Sequence, residues 1–148
     1  MLFDYDIEKN AFHPGPSETA LFEWQRRNIE NYLLVPDTWK RAAARALNLP
    51  EGDLFAVGAL RVIEEFFAGE NLTLPRGQTW QNVSANIFKV VDGKKLLFEA
   101  EEALFARLKR LDPPAMVIRE KIAGVMTRQE IHQDISDFFD KLREAIHL

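Results

Sequence analysis

The chain has 148 residues, 47% of them hydrophobic and 28% charged, with eleven Phe, three Trp and a formal charge of −4. This suffices for one domain with a sizeable core, and it excludes a disordered tail, a fibrous repeat and a broadly basic nucleic-acid-binding surface. There is no cysteine, so disulfides, thiolate metal sites and cysteine nucleophiles are excluded together. No apolar run reaches the roughly 18–20 residues of a membrane span, and acidic residues stand where a signal peptide would be positive. The expectation is a soluble, cytoplasmic, single-domain protein with no membrane partner.

Leu2-Phe3-Asp4-Tyr5-Asp6 alternates and carries aromatics that favour strands, so residues 2–6 read as a strand. Residues 8–17, with His13, Pro14, Gly15, Pro16 and Ser17, read as an exposed loop, and residues 20–25 fit strand or helix equally. Over residues 28–34 the apolar spacing is helical, and Pro36 closes that element because the residue before a proline is pushed out of the α region. Asp37 then caps a helix that Asn48-Leu49-Pro50 ends, and Asp53 caps a second that Gly69 stops. Residues 70–86 are mostly loop around Trp80, and residues 87–91 form a short strand or extended lead-in to Asp92-Gly93. Leu97, Ala100, Leu104, Leu108 and Leu111 recur at steps of 3, 4, 4 and 3, which predicts one helix ended by Asp112-Pro113-Pro114. A shorter helix follows over residues 115–125. Thr127-Arg128-Gln129-Glu130 is a capping box ahead of a last helix with Ile131, Ile135, Phe138, Phe139, Leu142 and Ile146 on one stripe. The fold class expected is mainly α, with five or six helices and one or two short strands.

Asp4 and Asp6 are the first candidates for chemistry. On a strand they point to the same face about 7 Å apart. At an effective dielectric near 20 they repel by about 2 kcal/mol, which a bound cation turns into attraction. Two carboxylates suit magnesium, which keeps water for its other positions; the alternative is a solvated acidic pair. Arg26 and Arg27, ahead of a helix start, suit phosphate, with Glu30 as a ligand or arginine partner; the alternative is a solvated first turn over buried Ile29, Leu33 and Leu34. Gly93-Lys94-Lys95 opens a helix as a phosphate loop does, but Phe88 and Lys95 occupy the first-glycine and Ser/Thr positions of a Walker pattern, which excludes an ATPase site of that type. His13, His132 and His147 lack metal-ligand spacing, and no nucleophile elbow surrounds Ser17, Ser84 or Ser136.

Asp4-Tyr5-Asp6, followed by the tract Trp24-Gln25-Arg26-Arg27-Asn28-Ile29-Glu30-Asn31-Tyr32-Leu33-Leu34-Val35-Pro36, resembles the topoisomerase–primase (Toprim) region of ABC-type ATPases related to the overcoming-lysogenisation-defect nucleases. Those proteins follow an Asp-x-Asp strand with an arginine-rich E-I-E-N-Y-L-L-x-P tract. Val91-Asp92-Gly93-Lys94-Lys95-Leu96-Leu97 is similar to a Gly-Lys stretch in the same group, and Ile122-Ala123 with Glu130-Ile131-His132-Gln133-Asp134-Ile135 to its C-terminal helix. The resemblance divides the single domain into a Toprim-like part, residues 1–36, and a helical C-terminal region, residues 37–148. It implies magnesium held by Asp4 and Asp6, catalytic roles for Glu30 and Lys94, and DNA phosphate contacts from Arg26 and Arg27. It further implies a C-terminal fragment or truncated relative of a DNA endonuclease, inactive alone, partnered by an ATPase domain or chain. Two departures stand out: Asn28 replaces a more usual Glu, and neither the glutamate-bearing strand and helix nor the ATPase half of such proteins is among these residues. A terminal strand without sheet neighbours is expected to pair with a second copy in a homodimer or to fray, with weak metal affinity. The competing expectation is a small helical interaction or regulatory module without catalytic activity.

Overall fold

Trp39, Phe67 and Phe88, the largest side chains fully withdrawn from solvent, come from three separate segments, and the chain is organised around them. The computed structural model describes residues 2–3, 22–48, 54–111 and 119–146. Its six α-helices are α1 (Pro36–Leu47), α2 (Leu54–Gly69), α3 (Asn86–Val90), α4 (Leu104–Leu111), α5 (Arg119–Gly124) and α6 (Gln133–Ile146). Two strands of two residues each, β1 (Leu2–Phe3) and β2 (Phe22–Glu23), pair in parallel with Leu2 opposite Phe22 and Phe3 opposite Glu23. The mainly helical fold expected from the sequence is what forms.

α1 and α2 lie against each other, α4 packs on α2, and α5 packs on α1. Ala42 and Ala43 give α1 a face thin enough for close approach, while Ala59, Ile63, Phe66 and Phe67 supply the apolar side of α2. Pro36 occupies the first turn of α1, where its missing N–H leaves nothing unsatisfied, so the proline that closes the preceding element also starts this one. Asn48, at φ 50°, ends α1 in the left-handed region, its N–H donating to the carbonyls of Ala44 and Arg45. Asn71, at φ 56°, follows α2 in the same conformation, and the next residue, the fully buried Leu72, donates back to Phe67.

Four expectations about local structure need correction. Asp37 does not cap α1 but lies in its first turn, because Pro36 already opens the helix behind Val35. Residues 28–34 form a tighter 3₁₀ turn, Ile29–Leu33, rather than an α-helix. Residues 87–91 are not extended: α3 takes most of them, because one helical turn directs Phe88 inward against Trp80, with ring centroids 5.8 Å apart. The β-branched residues there are overridden by packing. The single helix expected through residues 97–111 is broken. A π-helical turn, Lys95–Glu99, ends at an extended Ala100, and α4 begins only at Leu104. The wider turn re-phases the chain so that Leu97, Ala103 and Leu104 are all buried, and Arg107 and Arg110 hold the carbonyls of Glu102 and Glu101 that the break leaves free of the helix. Residues 4–6, the loop at residues 8–17, the Asp53 cap and residues 115–118 of the expected short helix lie outside the described residues. The edge of β1 that the sequence leaves for a second copy has Phe22–Glu23 of its own chain beside it.

The Thr127–Glu130 capping box forms at a 3₁₀ turn, Arg128–Glu130, ahead of α6 rather than at the helix itself: the Thr127 N–H donates to Glu130 Oε2 at 2.8 Å, and separately the Glu130 N–H closes the turn on the Thr127 carbonyl at 3.0 Å. Glu130 also reaches α1, accepting from the Thr38 hydroxyl at 3.1 Å and from Arg41, whose Nε holds the Val125 carbonyl. Its side chain is nearly buried. Burial alone would raise the carboxyl's pKa, but the Arg41 ion pair with the Thr127 and Thr38 hydrogen bonds outweighs it, so the pKa is lowered. As pH falls, the unfolded chain therefore binds the proton first. The stabilisation is complete above the ordinary value near 4.3 and is lost as pH drops through the lower folded value. Glu130→Gln should cost about 1–3 kcal/mol at neutral pH and flatten the loss of stability below about pH 4, read from urea unfolding across an acid series.

Candidate functional site

The backbone around Val91-Asp92-Gly93 has no sheet or long helix to satisfy it, and the carboxamide of Asn31, 57 to 62 residues distant in sequence, does so instead. Its Nδ2 donates to the carbonyls of Phe88 at 3.0 Å and Val91 at 2.9 Å, while its Oδ1 accepts the Gly93 N–H at 3.0 Å. Asn31 is fully buried. A Cβ on Gly93 would lie 2.4 Å from that Oδ1 and 2.9 Å from the Asn31 backbone nitrogen, so only glycine allows this approach. Around the carboxamide, Asn28 Nδ2 donates to Asp92 Oδ1 at 3.1 Å, Arg27 lies 3.4 Å from Asp92 Oδ2, and the Arg27 N–H donates to the Lys89 carbonyl. Asp92 also accepts the Lys95 N–H at 3.1 Å, at the start of the π turn.

The two neighbouring arginines have opposite fates. Arg27 is exposed. Arg26 is 4% exposed, its guanidinium 4.6 Å from the centre of the Tyr32 ring and its Nη1 donating to the Asn31 carbonyl at 2.7 Å. Burial lowers its pKa, and the charges of Tyr32 and Asp134 oppose the shift. Tyr32 in turn donates to Asp134 Oδ2 at 2.5 Å. Its pKa is raised, first by burial and then by this bond to an anion. Asp134 is held below the ordinary carboxylate range because bonds from His132 and Tyr32 outweigh its own desolvation. The His132 ring bridges Val83 and α6: Nε2 lies 3.2 Å from the Val83 carbonyl, and Nδ1 lies 3.2 Å from the Asp134 backbone nitrogen and 3.5 Å from Asp134 Oδ2.

Beside this cluster opens an apolar pocket of about 310 Å³, lined by Ile29, Leu33, Ala123, Met126, Ile131 and Ile135 together with Glu30, Tyr32 and His132. Of the residues singled out from sequence, Glu30 stands in this wall at 8% exposure. Lys94 is exposed on the far side of Gly93 in sequence and pairs with Glu99 at 2.9 Å. Arg26 points into the protein and Arg27 outward. Asp4 and Asp6 lie outside the described residues. Among the described residues no three His, Asp or Glu side chains stand together as a metal-holding group.

Sequence reasoning missed Asn31, Asp92 and the Tyr32–Asp134 bond. An Asx-Gly pair shows a tight turn, but nothing local says which distant carboxamide will bond it. Searches of family models, curated proteins and solved structures found no match to this chain. Among the described residues, no helix is long and apolar enough to cross a membrane.

Asn31→Ala strips three backbone groups, two of them buried, of their partner and should cost about 3 kcal/mol, seen as a lower urea midpoint at unchanged slope. Asn31→Asp should fare no better, since it turns an oxygen toward two carbonyls. Gly93→Ala should destabilise by a similar amount, and its cost should shrink in the Asn31→Ala background, where the nearest clashing atom is gone.

Proposed function

We propose that this chain is the C-terminal portion of a Toprim-type, magnesium-dependent DNA endonuclease that works with an ATPase domain or chain. The observation that carries the reading is the interlock around Asn31. Two stretches on which the resemblance rests, residues 26–36 and 91–97, join as one polar unit through Asn28, Asn31 and Asp92. The two stretches are thus one cluster in space although 57 to 62 residues separate Asn31 from the groups it bonds.

The parallel pairing of β1 and β2 supports the same reading. Ligand sites of parallel sheets gather beyond the carboxyl ends of the strands. Here the sequence beyond β1 is Asp4-Tyr5-Asp6, and beyond β2 it is Trp24-Gln25-Arg26-Arg27. On this reading Asp4 and Asp6 hold magnesium, which when bound supplies Lewis-acid stabilisation of a phosphodiester. Arg27 and Lys94 offer exposed cations to the phosphates of DNA, Arg26 braces the tract from inside, and Glu30 contributes an acidic group. A second reading, a helical interaction module without catalytic activity, is favoured by the apolar residues that α6 leaves exposed.

Manganese, which is paramagnetic and takes the same oxygen ligands, tests the proposal on the whole chain. Electron paramagnetic resonance titration should reveal one site weaker than micromolar that Asp4→Asn with Asp6→Asn abolishes, while the far-ultraviolet circular dichroism stays unchanged. No bound manganese, or binding that survives the double substitution, overturns the nuclease reading and leaves the interaction module.

A further inference from the structure

Ile29, Leu33, Met126, Ile131 and Ile135 line one hollow of about 310 Å³ without filling it. None of these side chains is fully withdrawn from solvent, and Ile29 is 45% exposed. Apolar walls that border water are driven together, and protein interiors keep few voids larger than a water molecule. This hollow stays open because each wall is fastened elsewhere. The 3₁₀ turn at Ile29–Leu33 is tied to α6 by the bond from Tyr32 to Asp134 at 2.5 Å. The chain just after α5 is tied to α1, where Arg41 Nε donates to the Val125 carbonyl at 3.1 Å. The stretch from Glu130 to Gln133 is held by Thr38 and Arg41 at its start and, at its end, by the Gln133 N–H donating to the Gln81 carbonyl at 2.9 Å. Closing the hollow would break directional bonds on three sides. It is therefore preformed, as small-molecule sites usually are.

We infer that this hollow is a binding site for an uncharged, apolar small molecule about the size of two fused rings. The volume sets the size. About 150 Å³ of apolar cavity accommodates a benzene ring, and this hollow offers roughly twice that, at the lower end of the range for ligand pockets. The polar atoms set the class. Of the three polar residues in the wall, Tyr32 commits its hydroxyl to Asp134, and the two ring nitrogens of His132 face the Val83 carbonyl and the Asp134 backbone. The third, Glu30, is 8% exposed and already has a partner in the protein. No Lys or Arg lines the hollow among the described residues. An anion there meets a carboxyl group and no counter-charge, and any ion that enters gives up its hydration to hydrocarbon.

The outline of the wall separates a small molecule from a docked helix. The lining comes from three short stretches, residues 29–33, 123–126 and 131–135, gathered around a single hollow. A helix laid in a groove needs sites for anchors at i, i+3, i+4 and i+7, a run that one hollow does not provide.

Indole, uncharged and of the required size, is the probe. Methyl carbon–proton spectra of the full chain should show saturable shifts at Ala123, Met126, Ile131 and Ile135, and the indole ring protons should give nuclear Overhauser contacts to the Met126 methyl. Indole-3-carboxylate and tryptamine, an anion and a cation built on the same ring, should each bind at least about tenfold more weakly. Ala123→Leu, at an exposed position of α5 that lines the hollow, puts a side chain into the space itself. It should weaken indole binding at least about tenfold while the circular dichroism matches that of the unaltered chain. No saturable shift up to the solubility of indole overturns the inference, as do contacts confined to other parts of the chain. A charged relative that binds as well as indole overturns it too, and so does binding undiminished in a folded Ala123→Leu. Should that variant not fold, the Overhauser contacts in the unaltered chain decide the location.

Discussion

One carboxamide holds the tract at residues 26–36 and the turn at Gly93 together. The turn at Val91-Asp92-Gly93 interrupts two short helical segments, and such a turn in a buried setting would leave carbonyls and an amide without partners, at a cost of a few kcal/mol. Asn31 answers with two donors and one acceptor on a single planar group, placed from a 3₁₀ turn rigid enough to fix its direction. No other side chain of that size presents both roles; aspartate lacks the donors, and leucine lacks everything but shape. The requirement propagates outward. Asn31 must approach the backbone closely, so position 93 must be glycine. The turn must stay rigid, so Asp92 is fixed from both sides by Asn28, Arg27 and the Lys95 amide.

The same constraint sorts the basic residues. A guanidinium buried at 4% exposure loses its hydration, and Arg26 recovers part of that loss from the Tyr32 face and the Asn31 carbonyl. Tyr32 can serve as that face because Asp134 fixes its hydroxyl. Arg26, Asn31, Tyr32 and Asp134 are therefore one assembly, while Arg27 and Lys94 are exposed and paired with Asp92 and Glu99.

How far the sequence disclosed this depends on whether a signal is local. The stops at Asn48 and Gly69 are local, and they stand as read, whereas the start read at Asp37 lies inside the first turn that Pro36 opens. The Thr127–Glu130 box was legible for the same reason, but its tie to Thr38 and Arg41 was not, because that partner lies on α1. Periodicity misled where tertiary packing chose the phase. The leucine steps through residues 97–111 fit one helix, yet a π turn and an extended Ala100 serve the core better. Residues 87–91 carry β-branched side chains, yet Phe88 needs a helical turn to reach Trp80. Within the candidate site, Arg26, Arg27, Glu30 and Lys94 could be named from composition and order alone. The division between buried and exposed arginine, and the identity of the residue that joins the two tracts, emerge only from the fold.

The attachment of α6 follows a different rule from the rest of the core. α1, α2 and α4 meet through apolar side chains that are almost fully buried, which is non-directional and tolerant of small shifts. α6 is fixed at its start by directional bonds: the Gln133 N–H to the Gln81 carbonyl, the Asp134 N–H to His132, and Tyr32 to Asp134. Directional bonds set orientation with little buried area, and Phe138 adds one aromatic anchor beyond them. That division of labour lets the helix be held at a defined angle while its apolar stripe stays outside. Because Tyr32 follows Asn31 directly in the chain, the helix orientation and the Gly93 turn are set by adjacent residues. Arg26, stacked on the Tyr32 ring, ties both to the start of the same tract.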